Sequence, residues 1–200
     1  MRKIVKSNEI KKKPINIANI LHPIPKIDSL NYITEIPKDN QEERLLKEYE
    51  DFKKYKPAEA WGGPLFPNYF EWIISFYGPK DSDYEDGLFN VKIKIPKDYP
   101  QNGPTCYFLH DELYHPNVSQ SDKKICLGSY FVSQWNESKT LNEVIIHIYT
   151  ILKIPNYDDS YDSVIGETYK ADPEAFHKIV REFVRIYAPK NKIKKNDLII

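Results

Sequence analysis

The sequence is poor in cysteine, with only two in 200 residues. That scarcity excludes a disulfide-stapled fold and favours a reducing compartment. Net charge is also missing, because 29 basic residues balance 29 acidic ones, which argues against nucleic acid as the main partner. No apolar run is long enough for a signal peptide or a membrane span. These absences predict a soluble protein of the cytoplasm, the nucleus or both, without a membrane partner.

Hydrophobic residues make up 40% of the chain and aromatic residues 14%, which is enough for the core of one domain. The basic residues cluster towards the two ends, and prolines punctuate the stretch that precedes residue 38. We therefore predict a basic, extended N-terminal arm over 1–38, a folded domain over 39–189 and a basic tail over 190–200. Mobile termini are the simplest interpretation, and a nuclear address or an acidic docking partner is the alternative.

The first regular element is predicted by Asp39 and Glu42, whose spacing is typical of a capping box. Leucine and aromatic residues then recur at helical spacing, so a helix is expected over Asn40–Lys54. Beyond it the period changes to that of strands. In residues 88–95 apolar and polar residues alternate, as in a half-buried antiparallel strand. The expected strands are 70–77, 88–95 and 105–109, with a proline-rich turn at 96–104.

Two further helices are predicted in the C-terminal half. Thr140 and Glu143 form a capping-box pattern that opens a helix over Leu141–Leu152, and this helix is apolar nearly all round, so we expect it in the centre of the domain. Asp172 and Pro173 open the last helix. Its expected core stripe is Phe176, Ile179, Val180, Phe183 and Tyr187. The order of elements predicts an α+β domain with helices on one face of an antiparallel sheet.

Cys126 lies in a stretch without strand or helix period, "YHPNVSQSDKKICLGSYFVSQW" (114–135). A zinc site is one interpretation, because Cys106, His110, His115 and Cys126 are acceptable ligands. Structural zinc sites, however, usually take two close pairs of ligands, and these residues are not spaced in that way.

Two other interpretations concern the thiols alone. Cys106 lies in the apolar run "TCYFL", where a buried structural thiol is expected. Cys126 as a papain-like nucleophile would need a downstream histidine as base. The candidates, His147 and His177, lack the local context of that family.

The motifs around Cys126 resemble the catalytic core of ubiquitin-conjugating enzymes. The resemblance rests on Tyr114-His115-Pro116-Asn117, on Ile125-Cys126-Leu127, on Trp135 and on Thr140-Leu141. It extends to "RLLKEYEDF", similar to the first helix of the family, to "FEWIISFYGPKDSDYEDGLF", similar to its first hairpin, and to "IPKDYPQNGPT", similar to its proline-rich turn. The C-terminal third, "IPNYDDSYDSVIGETYKADPEAFHKIVREFVRIYA", is similar as well. The match covers about residues 40–189, the size of a domain.

The resemblance implies a fold and a set of roles. The fold would be an N-terminal helix, a four-stranded antiparallel meander, an irregular active-site segment, a buried central helix and C-terminal helices. Cys126 would accept ubiquitin as a thioester from an activating enzyme and pass it to a substrate lysine. Asn117 would stabilise the oxyanion or brace the catalytic loop, and Asp159, with Asp158 as its near-equivalent, would receive the proton of the lysine. His115 would fix the turn that presents Asn117 or serve as a general base.

The resemblance also implies partners. These are ubiquitin or a similar modifier, an activating enzyme, a substrate protein and possible RING or HECT ligases, with the enzyme acting as a monomer and without a cofactor or metal. The residues expected to contact the ligase or the activating enzyme are Arg44, Lys47, Gln101, Asn136 and Glu137. Trp135, Tyr99 and Pro100 are expected to be structural. The N-terminal arm is a candidate docking segment for the activating enzyme.

Several positions depart from typical members of the family. Gly128 stands where aspartate or another polar residue is commoner, and Gln101 where members that work with RING ligases often have phenylalanine. Residues 136–138 replace a Ser-Pro-Ala that is often found in the second ligase-contact loop. Tyr161 replaces a smaller aliphatic residue and is expected to alter access to the thiol. Each segment that flanks Cys126 is one residue longer than in many members. A usual ligase partner is therefore in question, because a lost aromatic anchor removes much of the energy of a small interface.

Two other functions stay open. In the first, the chain is an inactive scaffold that binds ubiquitin. In the second, it transfers a SUMO-like or NEDD8-like modifier. The presence of Cys126, Asn117 and Asp159 disfavours the scaffold. The modifier is not separated by sequence, because the activating enzyme largely chooses it.

Overall fold

The computed structural model describes residues 39–110 and 112–190 of the chain. In these residues it forms five helices and four strands. In chain order they are α1 (Asn40–Tyr55), β1 (Ala60–Leu65), β2 (Asn68–Tyr77), β3 (Leu88–Lys94), β4 (Thr105–Phe108), α2 (Ser129–Ser133), α3 (Leu141–Lys153), α4 (Ser163–Ala171) and α5 (Pro173–Tyr187). The interpretations of residues 1–38 and 191–200 lie outside the described residues.

Helix α1 begins where the capping pattern predicts. The side chain of Asp39 accepts hydrogen bonds from the backbone N–H groups of Gln41 and Glu42, which satisfies two donors that have no partner within the helix. Leu45 and Phe52 are buried on the face towards the core. The predicted helix is confirmed, and it ends one residue later than expected.

The four strands form an antiparallel meander in the order β1-β2-β3-β4. On β3, Phe89, Val91 and Ile93 are fully buried, whereas Lys94 is exposed. The alternation of apolar and polar residues that predicted this strand is therefore confirmed. The apolar residues lie on the face of the sheet that the helices cover. The turn expected at 96–104 is also present, since residues 97–102 form turns and bends.

Strand β1 was not predicted from any local pattern, because its sequence contains Gly62, Gly63 and Pro64, which are poor strand formers. Gly62 has φ +120°, and an added Cβ would lie 2.1 Å from the carbonyl oxygen of Ile73 on β2. Close approach of the two backbones thus requires glycine there. The first hairpin is formed by β1 and β2. The assignment of residues 70–89 to that hairpin is therefore wrong, because these residues span most of β2 and reach β3.

Helix α3 carries the predicted capping box, in which Thr140 accepts from the backbone of Glu143 and the Glu143 side chain accepts from the backbone N–H of Thr140. Its expected burial on all sides is only partly correct. Six residues of the helix are buried, but Ile146 keeps 42% of its surface exposed. The apolar composition of this helix therefore overstates how much of it the core covers.

Helix α5 begins at Pro173 after the cap Asp172, as predicted. Its core stripe differs from the expected one, because the buried residues are Phe176, Val180 and Val184, and Tyr187 is 37% exposed. Helices α2 and α4 were not predicted individually. Five residues of α2 are too few to show a helical period.

The elements together confirm the predicted α+β class. The large side chains of α1, α3 and α5 and the inner face of the sheet form one hydrophobic cluster. None of the helices in the described ranges is long and apolar enough to cross a membrane.

Candidate active site

The thiol of Cys126 is half-buried at the end of a short hairpin-like segment. Val118 pairs with Ile125 in an isolated antiparallel bridge, and the N–H of Cys126 donates to the carbonyl of Asn117 at 2.9 Å. The segment that looked irregular in sequence is thus partly paired. The other thiol, Cys106, is 1% exposed, and burial raises its pKa to about 12. Between the two cysteines, only Cys126 is reachable from solvent.

Asn117 is 2% exposed, and its side chain ties two loops together. Its Nδ2 donates to the carbonyls of Asn156 at 2.8 Å and of Asp159 at 3.2 Å, while its Oδ1 accepts from the N–H of Asn156 at 2.8 Å. Both amide hydrogens and one lone pair are therefore engaged. This geometry braces the loop at 156–159 against the turn that precedes Cys126.

His115 lies beneath that turn with no exposed surface. Its Nδ1 accepts from the N–H of Asn117 at 3.0 Å, so Nε2 carries the ring proton and faces the carbonyl of Ile151 at 3.3 Å. Burial lowers the pKa of His115 to about 4. The ring is thus a neutral support for the turn, out of reach of a substrate proton.

The three aspartates of the loop after α3 have separate surroundings. Asp159 is exposed, and its Oδ2 accepts from the hydroxyl of Ser129, three residues after Cys126, at 2.9 Å. Asp162 caps α4 by accepting from two backbone N–H groups. Asp158 is 96% exposed beside Lys170. Of the three carboxylates, Asp159 is the one that contacts the segment after Cys126.

Gly128 has φ +81° and nothing within 4 Å of the position that a Cβ would occupy. Its backbone conformation, rather than a lack of space, favours glycine there. The residue is the N-cap of α2 and turns the chain sharply after Leu127. Tyr161 is anchored nearby, since its N–H donates to the carbonyl of Pro116 at 2.7 Å and its side chain is 54% exposed.

The residues expected to contact partners lie around one end of the domain. Lys47, Gln101, Asn136 and Glu137 are exposed. Arg44 is largely engaged within the chain, because its Nη2 donates to the carbonyls of Glu137 at 2.9 Å and of residue 139 at 3.0 Å. It therefore holds the loop that contains Asn136 against α1.

The residues expected to be structural connect the two loops at this end. The ring N–H of Trp135 donates to the carbonyl of Pro100 at 2.9 Å, and its ring lies 6.0 Å from that of Tyr99. The hydroxyl of Tyr99 donates to Glu48 at 2.7 Å. The turn at 96–104 and the loop at 134–139 are thus joined through packed aromatic rings.

The residues weighed as zinc ligands do not form a cluster. Over 39–110 and 112–190, no group of three or more His, Cys, Asp or Glu side chains is placed to hold a metal ion. His110 instead accepts from the N–H of Asn90 at 3.2 Å, and His115 is engaged beneath the turn.

Three residues near the site were missed by sequence reasoning: Ser129, Asn156 and His147. Ser129 and Asn156 act through contacts with residues far away in sequence, and nothing in their neighbourhood signals this. His147 was weighed only as a protease base. Its Nε2 lies 2.6 Å from the carbonyl oxygen of Leu127, next to Cys126.

The fold and this site define a class of small α+β proteins in which one accessible cysteine follows a buried His-Pro-Asn turn. A model of the family described as ubiquitin-conjugating enzyme matches residues 44–184. The chain therefore belongs to the ubiquitin-conjugating enzyme family. This is a family of transferases whose members in general work with ubiquitin, an activating enzyme and a ligase.

Two solved structures illustrate the similarity. A candidate ubiquitin-conjugating enzyme from Plasmodium yoelii is 29% identical, with a TM-score of 0.70 over 77% of this chain and 99% of that one. The ubiquitin-conjugating domain of a Toxoplasma gondii enzyme is 25% identical, with a TM-score of 0.66 over 74% of this chain and 99% of that one. In both comparisons the match covers nearly the whole length of the other protein.

Proposed function

We propose that this protein is an active ubiquitin-conjugating enzyme that carries ubiquitin as a thioester on Cys126 and transfers it to a lysine amine. One observation carries the proposal. The backbone N–H of Cys126 donates to the carbonyl of Asn117, and the side-chain amide of Asn117 donates to the backbone carbonyl of Asp159. The residues that carry the accessible thiol and the exposed carboxylate are therefore held together through Asn117.

In the first step, the thiolate of Cys126 attacks the thioester carbon that links ubiquitin to the activating enzyme. A new C–S bond forms, the old one breaks, and the cysteine of the activating enzyme leaves as a thiolate. Accessibility is what this step needs from the protein, since the acceptor carbon is already activated. Cys106, buried and with a raised pKa, is not suited to it.

In the second step, a lysine amine attacks the thioester carbonyl, the C–N bond forms and Cys126 leaves as a thiolate. A free lysine has a pKa of about 10.4, so its proton must be removed before the nitrogen can attack. Asp159 is exposed beside the segment that carries the thiol, and its carboxylate is suited to orient the amine and accept that proton.

Asn117 and His115 act mainly as supports in this proposal. Because both N–H groups of the Asn117 side chain are already engaged with carbonyls, stabilising an oxyanion would require it to release one of them. His115 is fully buried and neutral at physiological pH, which favours its role in fixing the turn over that of a general base.

A ligase or activating enzyme docks at the end of the domain that presents Lys47, Gln101, Asn136 and Glu137. In the described parts of the two loops at 96–103 and 134–139, no large apolar side chain is strongly exposed. The partner therefore makes chiefly polar contacts. A RING domain that depends on an aromatic anchor is expected to bind weakly, as measured by calorimetry, and to bind more tightly to a Gln101→Phe variant.

The test is a charging assay. The full chain is incubated with ATP, an activating enzyme and its matching modifier, and the products are separated on a non-reducing gel. An adduct that thiol removes is expected with ubiquitin. Cys126→Ser should convert it into an ester that resists thiol, and Cys106→Ala should charge like the parent protein.

The same assay separates the alternatives. An adduct formed only with a SUMO-like or NEDD8-like modifier and its own activating enzyme would replace ubiquitin in the proposal. Failure of all modifiers to form an adduct, together with binding of free ubiquitin, would identify an inactive scaffold instead. Deleting residues 1–38 tests the arm, because unchanged charging would remove its proposed role in docking the activating enzyme.

A further inference from the structure

His147 makes two contacts with the segment that follows Cys126. It lies on α3, half-buried, and its Nε2 is 2.6 Å from the carbonyl oxygen of Leu127. A carbonyl only accepts hydrogen bonds, so Nε2 carries the ring proton. A side chain of α3 thus holds the peptide group between Leu127 and Gly128, one residue beyond Cys126.

The second contact is through the ring. The imidazole of His147 stacks on Phe131 of α2, with centroids 4.2 Å apart and planes 12° from parallel. Helix α2 has no fully buried residue, although Phe131 is partly buried against the core. The stack of Phe131 on His147 and the bond from Ser129 to Asp159 are two attachments of α2 to the rest of the domain.

Gly128 lies between Leu127 and α2, and so precedes both of these attachments. Its φ is +81° and no heavy atom lies within 4 Å of the position that a Cβ would occupy, so no side-chain contact at residue 128 restrains the backbone after Leu127. The hydrogen bond from His147 supplies a restraint there. Since a thioester reacts only when its carbonyl faces the incoming amine, a small displacement of the thiol slows transfer.

We infer that His147 is a positioning residue for the thioester, acting through the carbonyl of Leu127. The inference rests on the proposed function and deepens it. The bond orients Cys126 for transfer without contacting ubiquitin or the acceptor lysine. Loss of the donor should lower the maximal rate of discharge and leave the KM for the lysine acceptor unchanged.

Two variants separate the donor from the ring. His147→Gln keeps an N–H that can reach the carbonyl of Leu127 but loses the stack, whereas His147→Phe keeps an aromatic ring over Phe131 but loses the donor. Each is charged with ubiquitin and discharged to free lysine over a range of concentrations. We expect His147→Phe to lose about fivefold in maximal rate, as for one hydrogen bond, and His147→Gln to stay within about twofold.

A second readout does not depend on the modifier. In a Cys106→Ala background, the rate at which iodoacetamide alkylates Cys126 in the folded protein should change about threefold in His147→Phe and little in His147→Gln, on the same hydrogen-bond scale. Circular dichroism and thermal melts confirm that the variants are folded.

The outcomes are distinct. If wild-type protein charges and discharges and His147→Phe keeps pace with it, the inference is wrong and the proposed function stands. If His147→Gln falls while His147→Phe does not, the stack and not the donor matters, which also overturns it. If wild type fails to charge with any modifier, the proposed function fails, and unchanged alkylation of the Phe variant would overturn the inference separately.

Discussion

The side-chain amide of Asn117 and the backbone of Asn156 form a reciprocal pair of hydrogen bonds, each 2.8 Å long. The two residues are 39 positions apart in the chain. The pair joins the turn before Cys126 to the loop that carries Asp159, so one side chain sets the distance between two parts of the site.

Asn117→Asp is predicted to destabilise the protein and to slow the discharge of the thioester to lysine. The new carboxylate can still accept from the N–H of Asn156, but the carbonyls of Asn156 and Asp159 lose their donor. An unsatisfied acceptor away from water costs about 1–3 kcal/mol. Because both of these bonds are only partly buried, we expect a loss near the lower end of that range in the free energy of unfolding, measured by urea denaturation. Discharge to lysine should fall in parallel. Slow discharge with unchanged stability would instead assign Asn117 to the transition state alone.

Asp159→Asn is predicted to slow transfer to free lysine while leaving charging by the activating enzyme intact. Loss of a general base typically costs about 100-fold or more. The deficit should shrink as the pH rises, because free lysine, with a pKa of about 10.4, then loses its proton without help. Single-turnover discharge measured between pH 7 and pH 9.5 tests both statements.

The matched control for that experiment is Asp158→Asn. The Asp158 side chain is 96% exposed and lies 4.0 Å from Lys170. It should discharge like wild type. Equal losses in the two variants would mean that the negative charge of the loop, and not the placement of Asp159, assists transfer.

The elements that sequence predicted are those whose signals are local. The caps Asp39, Thr140 and Asp172 lie within three residues of the groups that they satisfy, and the alternation along β3 is read from neighbouring residues. Strand β1 carries no such signal, because close contact with β2 forces glycine into it. Burial of α5 shifted towards Val184 because packing, and not the period alone, selects the inward face.

The candidate site was predicted through resemblance more than through pattern. The positions of Cys126, Asn117 and Asp159 follow from matched motifs, but the hydrogen bonds that these residues make do not. The bond between Ser129 and Asp159 joins residues 30 positions apart, and only the folded chain brings them together. The same is true of Arg44, whose Nη2 donates to backbone carbonyls 93 and 95 positions further along the chain.

Glu48→Ala is predicted to be strongly destabilising. The Glu48 carboxylate is nearly buried and accepts from Arg44 Nε at 2.9 Å, from the hydroxyl of Tyr99 at 2.7 Å and from the N–H of Leu141 at 2.7 Å. Its removal leaves these donors without their acceptor, so we expect the free energy of unfolding to fall by about 3 kcal/mol. Urea denaturation measures the loss.

The same helix offers a control in Glu50→Ala. Glu50 pairs with Lys53 at 2.6 Å, but both side chains are 45% exposed, and an exposed pair contributes less than about 1 kcal/mol. A similar loss in both variants would mean that charge on α1, and not the buried network at Glu48, accounts for the effect.

Stability is predicted to fall between neutral and mildly acidic pH because of His115. Burial lowers its pKa to about 4 in the folded protein, whereas an unfolded histidine has a pKa of about 6.5. Between these values the unfolded chain binds more protons, so stability is fully present above about pH 6.5 and is lost as the pH falls towards 4. Integrating this difference predicts a free energy of unfolding lower by roughly 2 kcal/mol at pH 5 than at pH 7. In His115→Asn the Oδ1 can still accept from Asn117, but no group titrates in that window, so urea denaturation should show a flatter dependence on pH. An equally steep dependence of stability on pH in the variant would mean that a group other than His115 titrates in this window. The neutral ring of His115 would then not be the cause of the loss of stability.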